Sequence, residues 1–161
     1  MAKPEQPLDL TWTWHRLSDL PAIVWHEVGC LRQAVFVVEQ NCAYPDLDEL
    51  DLISWHLLGQ AEDGLVLAYL RLVPEGHKFA EPSIGRVVIA PEARGSGLGR
   101  KLLEEGLRQH SQLTPTAGNR IGAQTHLSDF YRSLGYLPTS DTYLEDGIPH
   151  LDMLWQPPLH P

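Results

Sequence analysis

Val87-Val88-Ile89-Ala90-Pro91-Glu92-Ala93-Arg94-Gly95-Ser96-Gly97-Leu98-Gly99-Arg100 is the stretch from which the fold of this chain can be read. Ile84 to Ala90 is almost wholly apolar, as in a strand buried on both faces, and Pro91 ends it. A glycine-rich turn follows, and then Leu98, Leu102, Leu103 and Leu107 recur at helical spacing. Strand, turn and helix start in that order bring the turn's N–H groups, the unpaired N–H groups of the first helical turn and the positive end of the helix dipole together. That makes an anion site, and glycine lets the backbone approach a phosphate closely. The spacing Gly95-x-Gly97-x-Gly99 is not G-x-G-x-x-G, and no G-x-x-x-x-G-K-[ST] occurs, so neither the dinucleotide fingerprint nor the P-loop is present. Arg86, Arg94, Arg100 and Lys101 stand against Glu92 alone, about +3 locally in a chain of formal charge −9.

Working outward, Leu10, Trp12 and Trp14 alternate with threonines, a strand signal. Ser18 and Asp19 offer helix caps and Pro21 suits a first turn. Leu20, Val24, Val28, Leu31, Val35 and Val38 then predict one face of a long helix, with Cys30 in its packing. A polar loop spans Gln40 to Asp51. Ser54 to Ala61 and Leu65 to Val73 read as strands joined by an Asp63-Gly64 hairpin turn. After the Leu98–Leu107 helix come a short strand near Ile121 to Gln124, a helix over Leu127 to Leu134 ended by Gly135, and strands around Pro138–Leu144 and His150–Trp155. The order β-α-loop-β-β-β-α-β-α-β-β predicts an α/β (α+β) fold in one domain, placed over 10–157 behind a flexible polar leader, 1–9. The five tryptophans read as core or sheet-face residues.

The chain has 161 residues, 43% hydrophobic and 20% charged, which suits one domain with a sizeable core. Twelve basic against 21 acidic residues argue against general nucleic-acid binding. Two cysteines cannot build a disulfide scaffold, so a reducing compartment is the default. Met1 to Leu10 lacks the apolar core of a signal peptide, and Val28 to Val38, broken by Arg32, is too short to cross a bilayer. A cytoplasmic protein with no membrane partner is expected. Monomer and homodimer are not distinguished.

Arg94-x-x-Gly97-x-Gly99 resembles the Q/R-x-x-G-x-G/A signature of the GNAT acetyltransferases, whose loop holds the pyrophosphate of acetyl-CoA. One strand later, Phe130-Tyr131-Arg132-Ser133-Leu134-Gly135-Tyr136 resembles that family's F-Y-x-x-x-G-F stretch. Arg32 to Asp48, with Val35-Phe36-Val37-Val38-Glu39-Gln40-x-Cys42-x-Tyr44, and Tyr143-x-Glu145-Asp146-Gly147-Ile148-Pro149-His150 resemble blocks of the ElaA-like GNAT subfamily. The similarity runs from about Trp12 to Trp155. It implies a mixed, mostly antiparallel sheet flanked by helices, and direct transfer of an acetyl group from acetyl-CoA to a primary amine of a small molecule or peptide. It implies that Val87, Val88 and Ile89 align the pantetheine, that Arg94, Gly95, Ser96, Gly97, Leu98, Gly99 and Arg100 hold the pyrophosphate, and that Tyr131 donates a hydrogen bond to the departing thiolate. A phenol of ordinary pKa ~10 is a weaker acid than a thiol of ~8.5, so Tyr131 serves chiefly as a donor in the transition state.

Deprotonating a lysine-like amine at pH 7 costs about 4.6 kcal/mol, and Glu39, His126 and His150 are candidates to take that proton. Glu39, Asp46, Asp48, Glu49 and Asp51, with no Lys or Arg among them, would draw in a cationic amine or form a solvated acidic loop. Their spacing does not fit a calcium loop. No metal is implied, since His56, His126 and His150 show no zinc-ligand spacing. Cys42 could carry an acetyl group, but the sequence sets no electropositive surroundings for it, and such thiols are inert. Two alternatives remain: a non-catalytic CoA-binding or sensing module on the same fold, and an unrelated nucleotide-phosphate-binding protein.

Overall fold

The computed structural model describes residues 8–159. Of the expected leader, 1–7 lie outside the described residues, while Leu8 packs against the core and Leu10 is buried in it. Strands β1 (Thr11–Arg16), β2 (Trp55–Gln60), β3 (Val66–Val73) and β4 (Ser83–Ile89) form one antiparallel sheet in sequence order. The Asp63-Gly64 turn joins β2 to β3 as predicted: Gly64 takes φ +87°, and the Ala61 amide donates to the Leu65 carbonyl over 3.0 Å. A second antiparallel sheet comprises β5 (Asn119–Gln124), β6 (Tyr136–Pro138), β7 (Tyr143–Glu145) and β8 (Ile148–Trp155), with β8 pairing all three others.

Helices cover both faces of the first sheet. Helix α1 (Ala22–Arg32) places Val28 against Leu58, Val66, Tyr69 and Val88. Helix α2 (Leu98–Leu113) buries Leu98, Leu102, Leu103 and Leu107 against Leu57, Leu70, Leu72 and Ile84 on the other face. Cover on both sides explains why every residue of β3 is buried. Gly106 brings α2 onto the sheet: a Cβ there would lie 2.9 Å from Leu70 and 3.1 Å from Ile84. Helix α3 (Ser128–Ser133) packs Tyr131 against Tyr136.

The two sheets meet at one joint. Asn119, fully buried, accepts from the Ile84 amide over 3.3 Å and from the Tyr136 hydroxyl over 2.8 Å, and the Arg120 amide donates to the Pro82 carbonyl over 3.1 Å. Beyond it β4 and β5 do not ladder, so the expected mostly antiparallel β-structure flanked by helices is present as two sheets that part between these strands.

Three expectations are corrected. The long helix is α-helical only to Arg32; Gln33–Glu39 continues as a π-helix, in which the amides of Gln40 and Cys42 reach carbonyls five residues back. The wider turn rotates the helix tail, so Val38, assigned to the apolar face, is 69% exposed. Cys30 is exposed, because two residues on from Val28 a helix has turned about 200°. The strand expected over Pro138–Leu144 is two, β6 and β7, because the Ser140 hydroxyl takes the Asp152 amide at 2.9 Å and interrupts the ladder.

Candidate active site

Where the sheets part, a cleft of about 550 Å³ opens. Ser83 to Val87 of β4 line one wall and Ile121 to Gln124 of β5 the other. Phe36, Gln40, Cys42 and Tyr44 cover it, and the β7–β8 hairpin closes one side with Glu145, Asp146, Ile148 and His150. The cover is fastened across the gap: Gln124 donates to the Gln40 side chain over 3.1 Å, and the Cys42 thiol to the Asp146 carbonyl over 3.6 Å.

Strand β4 ladders only with β3, so its other edge borders the cleft. Its register against β3 slips between Tyr69 and Arg71, which leaves one extra residue at Arg86–Val87. This is a β-bulge, a device that re-aims backbone groups, and Arg86 takes φ +50° in it. Val87 lines the cleft; Val88 packs on the opposite face under α1, and Ile89 packs against the main core.

Past β4, the Pro91–Ala93 turn leads into the glycine loop. Gly97 precedes the first residue of α2 with φ +79°, a left-handed conformation open to glycine at little cost. The Ser96 hydroxyl donates to the Ala93 carbonyl over 2.6 Å and the Arg94 amide to the Pro91 carbonyl over 3.4 Å, and these bonds brace the turn. Leu98 is buried and contributes backbone alone. A Cβ on Gly99 would touch only Phe130, at an ordinary 3.6 Å.

The positive charge read around this loop is smaller in the structure. Arg86 turns away into the acidic block. Arg94 pairs with both carboxylate oxygens of Glu39 at 2.6 and 2.8 Å, 55 residues away in sequence. Arg100 donates to the Ser133 hydroxyl over 2.6 Å and lies 3.6 Å from Glu104.

The acidic block is likewise not the cationic-amine lure that its composition suggests. Fully buried Arg32 donates to Asp46 over 2.8 Å and to Asp51 over 2.7 Å. Arg71 pairs with Asp48 at 2.6 Å and Asp51 at 2.9 Å; Arg86 pairs with Asp46 at 2.8 Å and Asp48 at 3.3 Å. Three arginines from α1, β3 and the β4 bulge thus neutralise three aspartates and pin the loop to the bulge. Burial alone would raise the Asp51 carboxyl, but the Arg32 hydrogen bond and the charges of Arg32 and Arg71 outweigh it and hold it below the usual carboxylate range. His56 belongs to this cluster. The Asp51 carbonyl can only accept, so Nε2 carries the proton, and Nδ1 accepts from the Tyr69 hydroxyl at 2.7 Å. Burial pushes its imidazole down.

Among the remaining candidates, Tyr131 lines the cleft. Burial pushes its hydroxyl up to about 12, and no hydrogen bond to it is present among the described residues. His150 lines the cleft from β8. Its Nδ1–H donates to the Ile148 carbonyl over 2.7 Å, which leaves Nε2, 3.4 Å from Glu145, as the basic atom. Exposed His126 is not on the cleft, so His56, His126 and His150 do not form a metal site, and among the described residues no group of three or more potential ligands does. Glu39 also lies off the cleft, and the Arg94 hydrogen bond holds its carboxylate below the usual range, the wrong direction for a base. Exchange of Glu39 for glutamine is therefore expected to free Arg94 and to tighten the binding of a phosphate-bearing ligand at the glycine loop, read by calorimetry; unchanged binding would mean that Arg94 does not face the anion there. Lys78, Arg71 and Gln124, which also line the cleft, were not singled out. Only Gln124, at the end of the Ile121 strand, carried a positional signal.

The cleft between parting sheets, lined by a strand that runs on into a glycine turn and the N-terminus of α2, belongs to the acyl-CoA N-acyltransferase fold of the relatives that follow. The profile of the acetyltransferase (GNAT) domain matches residues 51–157, and the chain belongs to that family. A UPF0039 protein of Synechocystis is 39% identical over 151 residues, 94% of this chain and 98% of its own. The crystal structure of an acyl-CoA N-acyltransferase from Pseudomonas aeruginosa superposes with TM-score 0.86 at 39% identity, over 91% of this chain and 99% of that one. Escherichia coli ElaA superposes with TM-score 0.85 at 35% identity, over 92% and 100%.

Proposed function

We propose that this protein transfers an acetyl group from acetyl-CoA directly to a primary amine. The observation that carries the reading is the free edge of β4, which runs along the cleft into the Gly95–Gly99 turn and α2, with the unpartnered Tyr131 hydroxyl lining the same cleft. The backbone of Val87, Val88 and Ile89 aligns the pantetheine by strand-like bonds. The Arg94 amide is held by the Pro91 carbonyl, so the amides from Gly95 to Gly99 take the pyrophosphate, with the Arg94 and Arg100 side chains at the rim.

The ammonium passes a proton to His150 Nε2, directly or through water, the free amine attacks the thioester carbonyl, and the extra proton then carried by the attacking nitrogen leaves to water. Nδ1–H is held by the Ile148 carbonyl, and the imidazolium that forms faces Glu145. Amides at the β4 bulge stabilise the tetrahedral oxyanion. The C–S bond then breaks, and Tyr131 donates a hydrogen bond to the leaving thiolate. Full proton transfer from a phenol at about 12 to a thiolate of ordinary pKa is uphill by about 5 kcal/mol, so donation, not transfer, is its part.

A thermal-shift titration tests the donor. Acetyl-CoA at a hundred times its Kd stabilises by ~2.7 kcal/mol, which for a chain of this length raises Tm by roughly 5–10 °C. NAD and ATP should give no comparable shift. No shift with acetyl-CoA, or an equal one with ATP, overturns the reading.

A further inference from the structure

The glycine loop follows the C-terminal end of β4, whereas the cleft is lined by its first residues, Ser83 to Val87. A donor anchored at the loop therefore places its thioester partway along β4, and the acceptor must occupy the end near Ser83. The arginines that line the cleft are already matched, and one lining cation is not. Arg71 and Arg86 are held by Asp48, Asp51 and Asp46. Lys78, from the β3–β4 connection, lines the same end and has no ion pair among the described residues. A turn sets its place: the Gly76 amide donates to the Phe79 carbonyl over 2.8 Å, and the Lys78 ammonium stands 5.8 Å from the centre of the Phe79 ring. Lys78 is an exposed residue, so its ammonium is accessible to a ligand entering the cleft. An exposed cation on the cleft wall without an ion pair among the described residues, where the other lining cations are matched, is open to an anionic ligand.

We infer that Lys78 anchors a carboxylate of the acceptor, so that the substrate is an amine that also carries a carboxylate, as in an amino acid. This rests on the acetyltransferase reading above, since it takes the β4 end of the cleft as the acceptor's. A bidentate arginine would serve better for affinity, but both arginines here are committed to Asp46, Asp48 and Asp51. A single flexible lysine discriminates acceptors by charge and tolerates different distances between amine and carboxylate.

The test measures binding and turnover separately. CoA-saturated protein is titrated calorimetrically with N-acetyl-amino acids and with the matched N-acetyl amines that lack the carboxylate, in the wild type, Lys78→Met and Lys78→Arg. The expected result is that carboxylate-bearing compounds bind the wild type at least roughly tenfold more tightly than their matched amines, that Lys78→Met abolishes this preference, and that Lys78→Arg retains much of it. Equal binding of the two sets, a preference that survives Lys78→Met, or no binding of any carboxylate overturns the inference. The parent amines are assayed in parallel for thiol release from acetyl-CoA. Release from the carboxylate-free amines alone also overturns it, while release from none of them counts against the transferase reading whatever the binding shows.

Discussion

Tyr131→Phe is expected to lower kcat by about a hundredfold, the lower end of what a positioned proton donor contributes, with KM for acetyl-CoA little changed. The hydroxyl has no hydrogen-bond partner among the described residues, and the ring's edge-to-face contacts with Phe130 and Tyr136 survive in phenylalanine. Tm should therefore hold or rise slightly, which separates lost chemistry from lost fold. A phenol at about 12 stays protonated throughout the ordinary assay range, so no alkaline fall in kcat below pH ~10 should trace to it. Thiol release followed across pH in both proteins is the measurement. Equal turnover would remove Tyr131 from the mechanism, whereas no thiol release from either protein, with CoA still bound, would favour a module that binds CoA without turning it over.

Arg32→Leu is expected to have the largest effect on stability. Arg32 is fully buried and holds Asp46 and Asp51. Removing one member of a buried charge cluster leaves the others uncompensated, at a cost of about 3–5 kcal/mol. For a chain this long that lowers Tm by roughly 6–20 °C. The pH dependence follows from the direction of the carboxyl shift. Asp51, which Arg32 holds, lies below its ordinary range: burial would raise it, and the hydrogen bond and charge of Arg32, with the charge of Arg71, outweigh that. A depressed carboxyl stabilises the fold fully above its unfolded value, near 3.9, and that stability is lost as pH falls through the lower folded value. The gap in Tm between wild type and variant should thus be widest at neutral pH and shrink on acidification below pH ~4. A gap independent of pH would mean that Arg32 acts by packing alone.

The parts of this molecule legible in its sequence are those written in neighbouring residues. The strand, glycine turn and leucine-spaced helix from Ile84 to Leu107 needed no distant information, nor did the Asp63-Gly64 hairpin. What sequence order hid was pairing over distance. Asp46, Asp48 and Asp51 looked unneutralised because their arginines stand 14 to 40 residues away on three other elements. Glu39 looked available as a base for the same reason. The π-helix was invisible because spacings of three and four fit an α-helix, and only the backbone bonds to residues five back distinguish the two. Tyr131 and His150 were legible as candidates, but their burial and partners were not, and Lys78 stood out only once the arginines around it proved to be matched.

The parting of the two sheets also bears on self-association. A strand edge without a ladder partner is a template for another chain to pair with and aggregate. Strands β4 and β5 each have such an edge, and β4 is rich in valine and isoleucine. Here the two edges face each other across the cleft, joined at Asn119 and covered where Gln124 of β5 is bonded to Gln40. A foreign strand could enter only by breaking that bond, whereas a thin, flexible chain has room to lie between them. The geometry that leaves space for a ligand's arm also keeps these two edges away from other copies of the molecule.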